Sequence, residues 1–261
     1  MNSPFFLPLA GVRPIPRRRI MEKVDEYMSR RDYPGVERLL RYWLGEAEAG
    51  RDDEGRLMVL GELIGHYRKT GEAGPGEAAI EQALRLIRSM GAEGTVNAAT
   101  TYINAATALH SFGKYEQALE LFRMAVPVYR DHPELPAQQL SGLYNNMGLT
   151  LAALERYDEA FEAYRLALEP LSAAGVGFPE QAMTCLNLAN AVEARLGMEQ
   201  GEAQIFSLLD EASRLLRRPD IPRDGYYAYV CEKCAPTFEY YGYFLDAETF
   251  RRAAEEIYDR A

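Results

Sequence analysis

The sequence predicts an all-α solenoid of about six helix-turn-helix units. Three observations carry this. Apolar residues recur at steps of three and four, as at Leu140, Leu143, Tyr144, Met147 and Leu151, then again at Tyr157, Phe161, Tyr164, Leu168 and Leu171. That is the spacing of one helix face. The pattern also returns at a fixed period: Gly71, Gly113, Glu155 and Gly197 stand 42 residues apart at each step, as do Tyr115 and Tyr157, and Ala118 and Ala160. No stretch alternates apolar and polar residues as a half-buried strand would.

The units follow in order. Residues 1–18 read as a loose N-terminal arm, and 19–261 as one repeat domain without an internal boundary. The arm carries Pro4, Pro8, Pro14 and Pro16 beside Phe5, Phe6 and Leu7. Its apolar start is not read as a signal peptide, because Arg13 and Arg17 to Arg19 follow the apolar run instead of preceding it. The first unit has helices near 19–30 and 34–48. Pro34 falls in the first turn of the second helix, where it is tolerated, and Trp43 is expected to face inward. The second unit has helices near 54–70 and 76–90, with a short insertion over 72–76 before Ala79 rejoins the pattern of Ala118. The third and fourth units span about 96–131 and 137–172. In the fourth, Gly148 and Ala160 sit where two antiparallel helices approach closely. The fifth spans about 180–217 and the last about 225–261. There Cys231, Cys234, Ala235, Phe238, Phe244 and Ala247 fall on packing positions, and Pro236 should kink the first helix.

Composition narrows the function. A hydrophobic fraction of 48% with 26% charged residues describes a folded chain. A net charge of −10 argues against nucleic acid, whose phosphates need a Lys/Arg surface, and against an anionic membrane. No apolar run reaches the roughly 20 residues needed to span a bilayer. Cys185, Cys231 and Cys234 are too few, and odd in number, for a disulfide framework, so a reducing cytoplasm is expected. Cys231 and Cys234 lack the second pair a structural zinc would need. With three histidines and no phosphate loop or His-Glu-x-x-His motif, the expectation is a chain with no catalytic, metal or cofactor site.

Asn146-Met147-Gly148, then Leu151, Tyr157, Ala160, Tyr164 and Ala167, resemble a tetratricopeptide repeat. The match extends to Asn104-Ala105-Ala106 with Tyr115 and Ala118, and to Asn187-Leu188-Ala189 with Gly197. The usual repeat is about 34 residues, so a period of 42 is long. It is similar to the repeats of kinesin light chains and of bacterial peptide-sensing regulators. The resemblance implies a right-handed superhelical solenoid whose first helices line a concave groove for a protein or peptide.

That groove would be lined by Asn104, Asn146 and Asn187, read as one place in three successive first helices. The resemblance implies that an Asn there holds a ligand's backbone, and an amide offers both an acceptor and donors for that purpose. The competing reading is that these amides only tie neighbouring helices together. Glu62 and Lys233 hold the matching place in the second and sixth units. Asn145, Asn190, His110, Arg68 and Glu193 are expected on neighbouring turns of the same hollow. The three central units offer no Lys or Arg for a ligand's terminal carboxylate.

The expected function is a non-catalytic scaffold that binds a protein or peptide. One alternative is a peptide-sensing domain without its own DNA-binding output, since no basic helix-turn-helix precedes Ile20. Another is a homo-oligomer joined through Tyr226, Tyr227, Tyr229, Phe238, Tyr240, Tyr241, Tyr243 and Phe244, residues whose other reading is packing of the last helix pair.

Overall fold

The computed structural model describes residues 11–260. Among them are eleven helices: α1 (Arg17–Ser29), α2 (Tyr33–Ala49), α3 (Asp53–Thr70), α4 (Ala73–Met90), α5 (Val96–Ser111), α6 (Tyr115–Arg130), α7 (Ala137–Ala153), α8 (Tyr157–Ala174), α9 (Phe178–Leu216), α10 (Gly225–Tyr240) and α11 (Phe244–Tyr258). Gly197, at φ 77° and ψ 164°, breaks α9 into two limbs, 178–196 and 198–216. Counting those limbs separately, the helices pair into six hairpins.

A turn shared by successive hairpins explains the period. Gly71, Gly113 and Glu155 are all left-handed, at φ 76°, 75° and 58°. Across each of them the chain closes the same hydrogen bond five residues back: Glu72 N to Tyr67 O, Lys114 N to Leu109 O, and Arg156 N to Leu151 O, each 2.9 Å. This is the Schellman arrangement that satisfies the last carbonyls of a helix. The last hairpin repeats it at Gly242, with Tyr243 N donating to Phe238 O at 2.8 Å.

That turn also corrects the reading of the second unit. Residues 72–76 are no insertion. Ala73, Gly74 and Pro75 form the first turn of α4, and Gly76 N donates to Glu72 O as Ala118 N does to Lys114 O and Ala160 N to Arg156 O. Gly76, not Ala79, is therefore the counterpart of Ala118. A proline in a first turn forfeits no helical hydrogen bond, so the helix starts before it.

Contacts cluster into two compact units, divided after Val128 within α6. In a chain of hairpins each element packs on its sequence neighbours, and no single centre gathers them. The first unit buries Ile20, Leu40, Leu60, Ile64, Tyr67, Ile87, Tyr102 and Phe122. The second buries Leu143, Tyr164, Cys185, Val192, Leu209, Cys231, Cys234, Phe238 and Phe250. Close approach in α7–α8 rests on Gly148: a β-carbon there would come 2.6 Å from the ring of Tyr164, which is itself fully buried.

Other side chains depart from the sequence reading. Phe244, expected to pack, opens α11 and is 66% exposed, while Ala247 and Phe250 on the same helix are buried. Trp43 is only half-buried and lines an open groove with Ile20, Lys23 and Leu39. Helix α10 continues through Pro236.

Residues 1–10 of the expected arm, with Phe5, Phe6 and Leu7, lie outside the described residues. From Arg13 onward the chain is held. Arg13 N donates to Gly50 O at 2.8 Å, Ile15 is buried, and Ile15 N donates to Asp52 Oδ2 at 2.9 Å. Asp52 also caps α3 through Gly55 N at 3.0 Å and pairs with Arg17 at 3.1 Å. Burial alone would raise the Asp52 carboxyl. The Ile15 and Gly55 amides and the Arg17 guanidinium outweigh it and hold the group below its ordinary value.

Candidate functional site

The second unit brings three first helices side by side: α7, the first limb of α9, and α10. Asn187 Nδ2 donates to Asn145 Oδ1 at 3.0 Å, joining α9 to α7. These two residues are 42 apart, so Asn145 is the counterpart of Asn187. Asn146 is not: it stands nine residues before its turn residue Glu155, whereas Asn187 stands ten before Gly197. One residue turns a side chain about 100° around the helix. The place that Asn146 holds on α7 is taken on α9 by Leu188. Asn146 is half-buried beside the pair, and Asn104 is exposed on α5 in the first unit.

The bonded amides keep further capacity. Asn145 retains its NH₂ donors and Asn187 its carbonyl acceptor, the two functions that a peptide group needs opposite it. Both residues are half-buried.

Asn190 and Glu193 serve a different contact. Glu193 accepts from Tyr240 OH at 2.9 Å and from Tyr241 OH at 2.7 Å, and Tyr241 OH also lies 3.1 Å from Asn190 Oδ1. The Tyr240 phenol is raised chiefly by that carboxylate, and Tyr241 by burial first and the carboxylate next. These bonds fasten the end of α10 to α9.

Lys233 is exposed on α10, with its ammonium 5.7 Å from the Tyr229 ring centroid. Tyr229 in turn stacks with Tyr226, ring centroids 6.3 Å apart. Tyr226, Tyr229 and Lys233 are spaced three and four apart and form one stripe. Tyr226 and Tyr229 are about half exposed, at 47% and 46%. Burial, followed by Glu180, pushes the Tyr226 phenol up. An open groove of about 300 Å³ runs past the starts of these helices, lined by Gln138, Phe178, Glu180, Ile221 and Tyr226.

The aromatic cluster of the last hairpin thus divides. Tyr227, Phe238 and Tyr241 are buried, Tyr243 is half-buried, and Tyr226, Tyr229, Tyr240 and Phe244 are exposed. Tyr226 and Tyr229 were legible as surface residues. They centre about 120° around α10 from the buried stripe Tyr227, Val230, Cys231 and Cys234, and only the density of aromatics obscured it.

In the first unit, Glu62 on α3 is half-buried. Its carboxyl is raised by burial first and by the charge of Asp25 second. Arg68 is exposed in the last turn of α3. His110 is half-buried, its ring 5.2 Å from that of Tyr115, and burial pulls its imidazole down.

All three cysteines are buried and free. Burial pushes the Cys185 thiol up to about 12 and raises Cys231 and Cys234 as well. Thiols so placed behave as small hydrophobic groups. Among the described residues no three or more His, Cys, Asp or Glu gather as a metal site, and no helix is long and apolar enough to cross a membrane.

Comparison with known proteins agrees with the hairpin geometry. Two tetratricopeptide repeat models match, over residues 55–131 and 141–169. A curated relative, protein O-mannosyl-transferase Tmtc3 of Drosophila melanogaster, is 32% identical over 140 residues, which is 51% of this chain; the chain spans 13% of that protein's length. Among solved structures, BtubC (BKLC) from P. vanneervenii superposes with a TM-score of 0.67 at 20% identity, covering 79% of this chain and 83% of that one. The apo form of RapI gives 0.57 at 14% identity, covering 94% and 98%. A putative kinesin light chain of Podosopora anserina with nearly identical TPR-like repeats gives 0.54 at 15% identity, covering 78% and 96%. At such identities the structures speak for the fold alone. Repeated Schellman turns, all-helical hairpins and two matching repeat models make this chain a tetratricopeptide-type repeat protein of the all-α solenoid class.

Proposed function

We propose that the chain is a non-catalytic scaffold that holds a peptide, or an extended segment of a partner protein, along the first-helix face of its second unit. The observation that carries the reading is the half-buried Asn145–Asn187 pair, which offers an unused donor and an unused acceptor side by side. Its neighbours suit the same ligand. Gln138 adds an amide along the groove, and Tyr226 and Tyr229 offer flat apolar surface at low entropic cost. Lys233 adds one positive charge at the rim. Asn146 and Asn104 remain candidate contacts on their own turns. Free, buried cysteines suit a reducing cytoplasm.

The test is a random-sequence peptide library probed with the wild-type chain and with the Asn145→Ala/Asn187→Ala double variant. Removing both partners strands no buried polar group, so helicity and melting should persist. Selected peptides should bind the variant about tenfold or more weakly, the worth of one to two hydrogen bonds. Equal binding would refute the site. Collapse of the fold with loss of binding would assign the pair to holding α7 and α9 together.

A further inference from the structure

One apolar groove lies between the first two helices. Ile20 of α1 and Leu39 and Trp43 of α2 line an open volume of about 450 Å³. Ile20 is buried beneath it, while Leu39 and Trp43 are half-buried. The charges around the groove are largely taken up within α1. Lys23 pairs with Glu26 at 2.6 Å and Arg18 with Glu22 at 2.8 Å, and Arg19 adds one exposed charge.

The chain itself arrives at one end of this groove. Leu39, Trp43 and Gly50 stand four and seven residues apart, so they share one stripe of α2 and its C-cap. Arg13 lies against that stripe. Its N–H donates to Gly50 O at 2.8 Å, and a β-carbon on Gly50 would collide with the Arg13 carbonyl. Arg17 pairs with Asp52, just beyond α2, which sets the start of α1 at the same end.

Reach and composition then name an occupant. Trp43 is seven residues from Gly50, about 10 Å along the helix. Phe5, Phe6 and Leu7 stand six to eight residues before Arg13, a span of up to about 20–29 Å when extended. No charged side chain precedes Arg13, so the segment brings no unpaired charge to an apolar floor. A segment tethered beside the groove meets it at an effective concentration near millimolar, so a few apolar contacts suffice to hold it. A groove of this volume takes a few large side chains, whereas a stable contact between two copies needs roughly 800 Å² from each.

We infer that Phe5, Phe6 and Leu7 fold back into the groove of Ile20, Leu39 and Trp43, so that the chain's own N-terminal arm is its occupant. Seated there, the arm shields Trp43 from water and closes the groove to other apolar segments. The contact lies wholly within the first unit, apart from the Asn145–Asn187 pair in the second.

Trp43 is the only tryptophan, so its fluorescence reads this groove in the full chain. The Phe5→Ser/Phe6→Ser/Leu7→Ser variant should shift its emission to the red and make it more open to acrylamide quenching, with helicity unchanged. A nitroxide carried on Ser3→Cys should quench Trp43 equally at every protein concentration, because the contact is within one chain. The three native thiols are buried and leave the label to residue 3. Emission and quenching identical in the variant and the wild type would overturn the inference. So would nitroxide quenching that is absent, or that appears only as concentration rises, which would give the groove to a second copy.

Discussion

His66 shows how one residue can work against its own surroundings. It is 6% exposed, and its Nδ1 has no hydrogen-bond partner among the described residues. The same place in the next three hairpins is held by Ala108, Thr150 and Val192, all fully buried. Burial pulls the imidazole below its ordinary 6.5. The unfolded chain then binds the proton more readily, so the contribution of His66 is present above pH 6.5 and is lost as pH falls through the lowered value. His66→Val should stabilise the first unit by about 1 kcal/mol at neutral pH, by removing an unsatisfied polar atom. It should also flatten the loss below pH 6.5, as read by urea unfolding at a series of pH values. Glu62 has the opposite sign. Its raised carboxyl holds a proton that the unfolded chain releases, so stability falls as pH rises from 4.5 through the raised value. Glu62→Gln should therefore raise melting temperature at neutral pH and change nothing well below 4.5.

At the scale of elements, the hairpin turn is the repeating device. Glycine meets its left-handed residue without strain at Gly71 and Gly113, whereas Glu155 bears a β-carbon at φ 58°. A left-handed residue with a β-carbon costs about 1–2 kcal/mol, part of which glycine returns through its freer unfolded chain. Glu155→Gly should thus stabilise the α7–α8 hairpin by up to about 1 kcal/mol. Calorimetry checks this. Gly148→Ala should do the reverse, costing about 1–3 kcal/mol. The added carbon would come 2.6 Å from a Tyr164 ring that is fully buried and has nowhere to go. Period, turn and close-approach glycine were all legible in the sequence, because they depend on contacts within one hairpin. The register of α9 against α7 was not. Asn187 looks aligned with Asn146 when matched by residue type, yet pairs with Asn145. Similarly, residues 72–76 read as an insertion, although Ala73, Gly74 and Pro75 open α4.

For the whole molecule, packing between hairpins decides which side chains reach solvent. Phe238 and Phe244 are both aromatic, six residues apart, and the sequence placed both in the core. Phe238 is buried, while Phe244, the first residue of α11, is exposed. Burial of a residue in a repeat array depends on the neighbour its helix meets, which periodicity within a hairpin does not contain.

The sequence by itself determined the helices, their pairing into hairpins, the 42-residue step and the tetratricopeptide class. Each of these follows from local spacing: the helical period, the turn residue, the small residue at the closest approach. Only the tertiary structure decided which amides meet, that Glu193 is taken up by Tyr240 and Tyr241, and which aromatics reach solvent. Those outcomes turn on rotations of about 100° per residue and on the neighbour that a helix happens to face. One hairpin's sequence fixes its own shape, whereas a surface shared by several helices exists only once they are packed.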